Sequence, residues 1–317
     1  MRAVIYAIFV VVVTSIGPFA SAQEIGAKAL PALHTLWDYS DPAGTRERFQ
    51  AIKRTAQLSG DDEYYLSLLT QIARTYGMEG QFTSAHSILD IVQPRLNAST
   101  PVARVNYLLE RGRAFRSAGE IKKSLPLFEN AFELADSIGQ SYLAIDAAHM
   151  MALVVESRDD RMEWNRLGLR LADSSDDPRA INWAGSINNN LGWDYHEQGE
   201  YDSALAAFER AVAVREQQGD PNRLRIARWC VARCLRSLSR IDEALAIQTA
   251  LLKEYTQEGT RDGYVFEELA ELYLLKNDSA TAATHFADAY RELSQDTSLM
   301  SGEAERMARM KRLAGLE

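Results

Sequence analysis

A small residue recurs about every forty positions from Asp62 onward, and no other feature of the 317-residue chain restricts its fold as much. The column reads Ala73, Gly112, Ala152, Gly192, Ala232 and Ala270. Seven residues later stand Gly80, Gly119, Asp159, Gly199, Ser239 and Asn277, at successive spacings of 39, 40, 40, 40 and 38 residues. Gly, Asn and Asp tolerate the left-handed backbone that ends one helix and begins a turn, so the second column reads as a turn; Ser239 fits it least. A small residue one helical stretch earlier lets two antiparallel helices approach closely, because no side chain holds the backbones apart.

Further columns complete the unit. Between the small residue and the turn lie Tyr76, Phe115, Val155, Tyr195, Leu235 and Tyr273. After the turn come Ala85, Ser124, Ala204, Ala244 and Ala282. Four residues on are Leu89, Phe128, Phe208 and Phe286, then Val92, Ala131, Ala211, Leu251 and Ala289. Steps of three and four place these on one face of a helix, so each unit predicts a helix–turn–helix with a single apolar seam.

The pattern resembles the tetratricopeptide repeat, most clearly in Leu191-Gly192…Tyr195…Ala204…Phe208…Ala211, and the resemblance runs from about Asp62 to Ser294. The family's unit is 34 residues; the spacing here is similar to its longer-helix variants. Trp164 and Gly168 depart from it in the small and aromatic columns, as do Arg111 where Leu is usual and Gln248 where an aromatic is usual. The Pro that closes the family's unit is mostly missing, with Pro221 near one boundary, and the stretch 141–173 departs furthest. The resemblance implies an all-α, right-handed α-solenoid of helix–turn–helix repeats: six repeats over 61–296, a degenerate N-terminal helical cap over 23–60 and a C-terminal capping helix over 297–317. The N-terminal cap reads as a helix pair turning at Ser40–Gly44, and the last helix offers Leu299, Met307, Met310 and Leu313 as apolar contacts, with its basic residues outward. Solenoid ends need such polar-backed caps, since each unit buries its face only on its neighbours.

Residues 1–22 read as an address. Arg2 precedes an apolar run from Ala3 to Ile16, Gly17-Pro18 breaks any helix, and Ala20-Ser21-Ala22 offers small residues for cleavage before Gln23. This is the layout of a secretory signal peptide; Pro18 and the small-residue site argue against an uncleaved anchor of the same length. The expected location is periplasmic or secreted, in a bacterium.

Chemistry is sparse. A net charge of -9 and a pI near 5.2 argue against nucleic acid as a partner. The five histidines form no metalloprotease pair or zinc cluster, and neither a phosphate-binding Gly-rich loop nor a nucleophile elbow is present. Asp61-Asp62-Glu63, Asp159-Asp160 and Asp176-Asp177 read as helix N-terminal caps. Cys230 and Cys234, four apart on one helix, read as two small buried thiols, because a disulfide at that spacing is strained. Asn97-Ala98-Ser99 and Asn277-Asp278-Ser279 match a glycosylation sequon, which matters only in a eukaryote. The expectation is a non-enzyme with no cofactor or metal.

In tetratricopeptide families, the first helix of each unit lines a concave groove. Carried over, that geometry assigns Arg74, Arg113, Arg116, His149, Asn189, Trp193, His196, Trp229, Arg233 and Arg236 to one face of an otherwise acidic protein. Arginine forks suit carboxylates and Trp is a frequent interface anchor. The competing reading is that the arginines pair with neighbouring acids and the two tryptophans pack between units. The Lys of the family's carboxylate clamp is missing, and Trp193 stands where Asn is usual. The leading expectation is an exported scaffold that binds a protein or peptide segment, acidic or carboxylate-bearing, in assembly or regulation of an envelope complex. The alternative is a separately encoded sensor or regulatory ectodomain of a signalling system.

Overall fold

The computed structural model describes residues 30–316; the signal-peptide reading and the cleavage point before Gln23 lie outside the described residues. Among the described residues every regular element is a helix. After a 3-10 turn at Leu33–Leu36 come α1 (Pro42–Leu58), α2 (Asp62–Met78), α3 (Phe82–Val92), α4 (Pro101–Ser117) and α5 (Ile121–Ser137). They continue with α6 (Ser141–Ala152), α7 (Arg158–Asp173), α8 (Pro178–Glu197), α9 (Tyr201–Gln218) and α10 (Pro221–Ser237). The array ends with α11 (Ile241–Gln257), α12 (Gly263–Leu275), α13 (Ser279–Leu293), α14 (Thr297–Gly302) and α15 (Ala304–Leu313). From α1 to α13 each helix packs on the next, α15 packs on α13, and successive first helices (α2, α4, α6, α8, α10, α12) also touch, so the chain is an α-solenoid.

Local chemistry sets the boundaries. The side chains of Asp61, Asp177, Asp220, Asp262 and Asp278 accept hydrogen bonds from backbone N–H groups in the first turns of α2, α8, α10, α12 and α13. Pro101, Pro178 and Pro221 open α4, α8 and α10, where a missing N–H costs nothing. At these three positions proline therefore starts a unit, whereas Pro94 follows α3 at the close of one and Pro126 lies inside α5. Gly80, Gly119, Gly199, Ser239 and Asn277 all hold positive φ, so the turn column follows the sequence, Ser239 included.

The small column works by contact. A Cβ built on Gly112 would sit 2.5 Å from a ring carbon of Phe128, and one on Gly192 would sit 2.8 Å from Phe208 Cζ. Phe128, Phe208, Phe286 and Leu89 are all fully buried by this arrangement.

Three expectations are corrected. Asp159 is not a turn residue: α6 stops at Ala152, the chain turns through 153–157, and Ser157 caps α7, which places Asp159 in its first turn. In the same unit Gly168 stands where a ring is usual, and Ile187 Cδ1 of α8 lies 2.8 Å from where its Cβ would be. The described part of the N-terminal cap holds a single 3-10 turn and one helix, α1, in place of two helices. The C-terminal cap is two helices broken at Glu303, although Met307 and Met310 are buried and Leu299 and Leu313 pack against them. Its basic residues do not all face outward: Arg306 and Arg309 pair with Glu267 and Glu271 of α12.

Candidate functional site

The first helices form one face, and residues 31–39 run along its N-terminal end. Tyr64 donates its hydroxyl to the Pro31 carbonyl at 2.7 Å, and Trp37 Nε1 donates to Gln71 Oε1 at 3.0 Å. Tyr39 stacks on Trp37 with ring centroids 4.8 Å apart, and the Arg74 guanidinium lies about equally far from both rings. Two cavities open on this face, of about 630 and about 690 Å³. They share His34, Tyr39, Arg74, Tyr142 and Arg179, so they adjoin.

The smaller cavity lies over α2, α4 and α6 and carries acids: Asp61, Glu63, Glu110 and Asp146. The larger lies over α6, α8 and α10 and includes His149, Trp183, Asn189, Asn190, Arg215 and Arg223. Trp183 packs on His149 with centroids 5.0 Å apart. Asn190 Nδ2 stands 3.3 Å from His149 Nδ1. Burial depresses the His149 pKa to about 4; Arg113 and Arg116 push the same way, and Asp146 opposes them. His149 is thus a neutral ring at physiological pH.

Of the ten face residues named from the sequence, the structure gathers Arg74, His149 and Asn189 at the larger cavity. Trp193, Trp229, His196, Arg233 and Arg236 form a separate cluster along α8 and α10. Trp193 packs on Phe208 (5.1 Å) and Trp229 (6.2 Å), and Trp229 Nε1 donates to the Tyr264 carbonyl. His196 Nε2 lies 2.9 Å from Ser237 Oγ, and burial together with Arg233 and Arg236 lowers its pKa.

The arginines are largely spoken for. Arg113 bonds Glu110 at 2.5 Å and also Asp146, and Arg74 reaches Glu110 at 3.4 Å. Burial opposes the Arg113 charge, but Asp146 and Glu110 outweigh it and raise its pKa. Arg236 holds both oxygens of Glu268 at 2.5 and 3.0 Å; Arg233 is 3.9 Å from the same carboxylate and donates to Ser237. Glu110, Asp146 and Glu268 are buried. These carboxylates tie α2 to α4, α4 to α6 and α10 to α12, so Arg113, Arg233 and Arg236 are not free guanidinium groups awaiting an acidic ligand.

Sequence reasoning missed Tyr142, Arg179, Trp183, Arg215 and Arg223. Asn182 and Trp183 were findable, because α8 extends the face of Asn189 by two further turns. Arg215 carried no such signal, since it belongs to a second helix, α9. It reaches the cavity beside Gly185, where a Cβ would stand 2.8 Å from Arg215 Nε.

With this geometry, comparison with known proteins is informative. Residues 188–217, the second half of α8 and nearly all of α9, match the family model of the tetratricopeptide repeat. The chain folds as a tetratricopeptide-repeat protein. Among solved structures similar to it is the apo form of RapI, at 11% identity and a TM-score of 0.68, covering 90% of this chain and 80% of RapI. Another is a signal-transduction ATPase with a tetratricopeptide-repeat sensor from Pyrococcus horikoshii, at 14% identity and 0.66. That match covers 87% of this chain but only 42% of the ATPase. A third is NprR in complex with its cognate peptide NprX, at 16% identity and 0.51, covering 84% of this chain and 79% of NprR. At these identities the likeness is one of fold, and the tetratricopeptide architecture accounts for it: small residues against rings within a unit, first helices on one face.

Proposed function

We propose that this protein is an exported, non-catalytic tetratricopeptide scaffold that holds a segment of a protein or peptide partner on the face of its first helices. The observation that carries the reading is the adjoining pair of cavities on that face, walled by Tyr39, Tyr142 and Trp183 and edged with amides and arginines. Aromatic walls with a few polar groups suit an extended chain: the rings bury side chains and the amides pair with backbone. NprR, which shares the fold, is seen with a peptide bound. Export is inferred from Arg2, the apolar run Ala3–Ile16 and the Ala20-Ser21-Ala22 site, and a role in assembly or regulation of an envelope complex follows from that location. No helix among the described residues is long and apolar enough to cross a membrane.

A photo-crosslinking residue at Tyr142 should capture a discrete partner from the native envelope fraction, whereas one at exposed Ile91 of α3 should not. Capture from Ile91 alone would move the function to the second-helix face. Exported material should begin at Gln23, and N-terminal sequencing that still finds Met1 would overturn the export reading.

A further inference from the structure

The larger cavity is positive ground in an acidic protein. Its lining includes Arg74, Arg179, Arg215 and Arg223 and, among the described residues, no Asp or Glu, although Arg74, Arg179 and Arg223 pair with Glu110, Asp177 and Asp220 beside it, the last pair exposed at the rim. The adjoining cavity of similar size has four acids.

Arg215 is the decisive residue. Three arginines of the described chain are buried: Arg111, Arg215 and Arg225. Arg111 is bound to Asp90, and Arg225 to Glu254 and Glu258. Arg215 is only 8% exposed, yet no carboxylate among the described residues lies within 4.0 Å of it. It donates instead to two neutral oxygens, Ser186 Oγ at 2.7 Å and Gln218 Oε1 at 2.6 Å. Burial and nearby Arg223 lower its pKa, with Asp220 opposing. A buried charge without a counter-charge is costly, and an anion entering the cavity would remove that cost.

A second observation narrows the anion. Asn189 Oδ1, at the same cavity, is buried and accepts no hydrogen bond. A turn of the Asn189 amide would bring this oxygen to the cavity, where it calls for a donor, which neither a bare carboxylate nor a fully ionised phosphate supplies and which a peptide N–H does. We propose that this cavity binds the carboxylate of a peptide segment, with Arg215 and Arg223 holding the acid and Asn189 accepting a backbone N–H. The inference rests on the peptide-binding reading above and adds the anchor's chemistry and location. The acid could be an Asp or Glu side chain or a C-terminus; both present the same carboxylate.

The test is selection of random twelve-residue peptides on the purified protein, followed by resynthesis of the winners. Each is made with its Asp or Glu changed to amide, with its C-terminus amidated, and with phosphoserine in place of the acid. One of the first two changes should weaken binding at least about tenfold, and which one identifies the source of the carboxylate. Arg215→Gln and Arg223→Gln should cause the same loss in the parent peptide, while Arg170→Gln, on α7 away from the cavity, should cause none. Arg223 lies at the cavity rim, so its variant answers the question even if Arg215→Gln fails to fold. Winners without an essential acid, winners that prefer phosphoserine, or unchanged binding by Arg223→Gln would each overturn the carboxylate anchor while leaving peptide binding intact. If no peptide is selected at all, the peptide-binding reading falls and this inference falls with it.

Discussion

Gly192 of α8 lies flat against the ring of Phe208 in α9, with no room for a Cβ between them. The contact is the tightest expression of the repeat, since it fixes how closely the two helices of one unit approach. Gly192→Leu should therefore cost at least about 1–3 kcal/mol, the usual range for overpacking a core. Because neighbouring units share their interfaces, the loss should appear as a broadened, lowered thermal transition. An unchanged melting temperature would sink this account of the small column.

Gln248 makes the opposite case. It stands in the ring column of its unit, fully buried, and neither of its side-chain amide atoms finds a partner. Gln248→Leu should raise stability by about 1–3 kcal/mol, because it removes two stranded polar groups while keeping the volume filled. Urea titration would show this as a higher midpoint at constant slope; a lower midpoint would mean the amide is satisfied in solution.

Glu268 sits beneath two guanidinium groups, those of Arg233 and Arg236. Glu268→Gln should cost about 2–3 kcal/mol, somewhat below the figure for a fully enclosed pair, because the two arginine side chains keep 27% and 20% of their exposure. Equal stability of variant and parent at low salt would show the tie to be inert.

His149 gives the stability a pH dependence of known sign. Its pKa falls from the ordinary 6.5 to about 4, so between those values the unfolded chain binds the proton and the folded one does not. The contribution is fully present above pH 6.5 and is lost as pH falls towards 4. His86, His196 and His285 are lowered in the same direction, so the whole protein should weaken on acidification. In His149→Asn the slope of unfolding free energy between pH 6.5 and 4.5 should flatten; an undiminished slope assigns the effect to the other three.

Cys230 and Cys234 are free thiols in the core, with pKa values pushed by burial up to about 12 and about 11. Neither should react with iodoacetamide at pH 8 in the folded protein, and both should react after denaturation. Rapid labelling of the native state would contradict the packing of α10.

Helix pairs, turn column and seam were legible in the sequence because each rests on contacts between residues close along the chain. A second set of left-handed turns, at Gly139, Gly219 and Gly259, joins one unit to the next and escaped notice because two boundaries lack it. Around Pro178 the chain uses Asp177 as a cap instead, and around Pro101 it uses a 3-10 turn at Gln93–Arg95. That the face arginines pair with neighbouring acids was one of two readings open in the sequence; which acids they take was not legible. Their acids lie 32 to 36 positions on, as in Arg236 to Glu268 or Arg74 to Glu110, a distance that acquires meaning only once the units are stacked. Arg215 was beyond reach for a related reason. Its role depends on Gly185 leaving a gap in a different helix, and nothing along α9 marks it.

The ties between first helices are unevenly spread. Ion pairs fasten α2 to α4, α4 to α6, α10 to α12 and α12 to α15. Among the described residues, none fastens α6 to α8 or α8 to α10, where the links are Asn190 with His149, Ser237 with His196, and ring against ring. Ion pairs thus brace the first helices on either side of this stretch and not within it, and the larger cavity is cut into the stretch held by rings and neutral hydrogen bonds. An occupant touching α6, α8 and α10 together would supply, through a few atoms, the cross-tie that ion pairs supply elsewhere along the face.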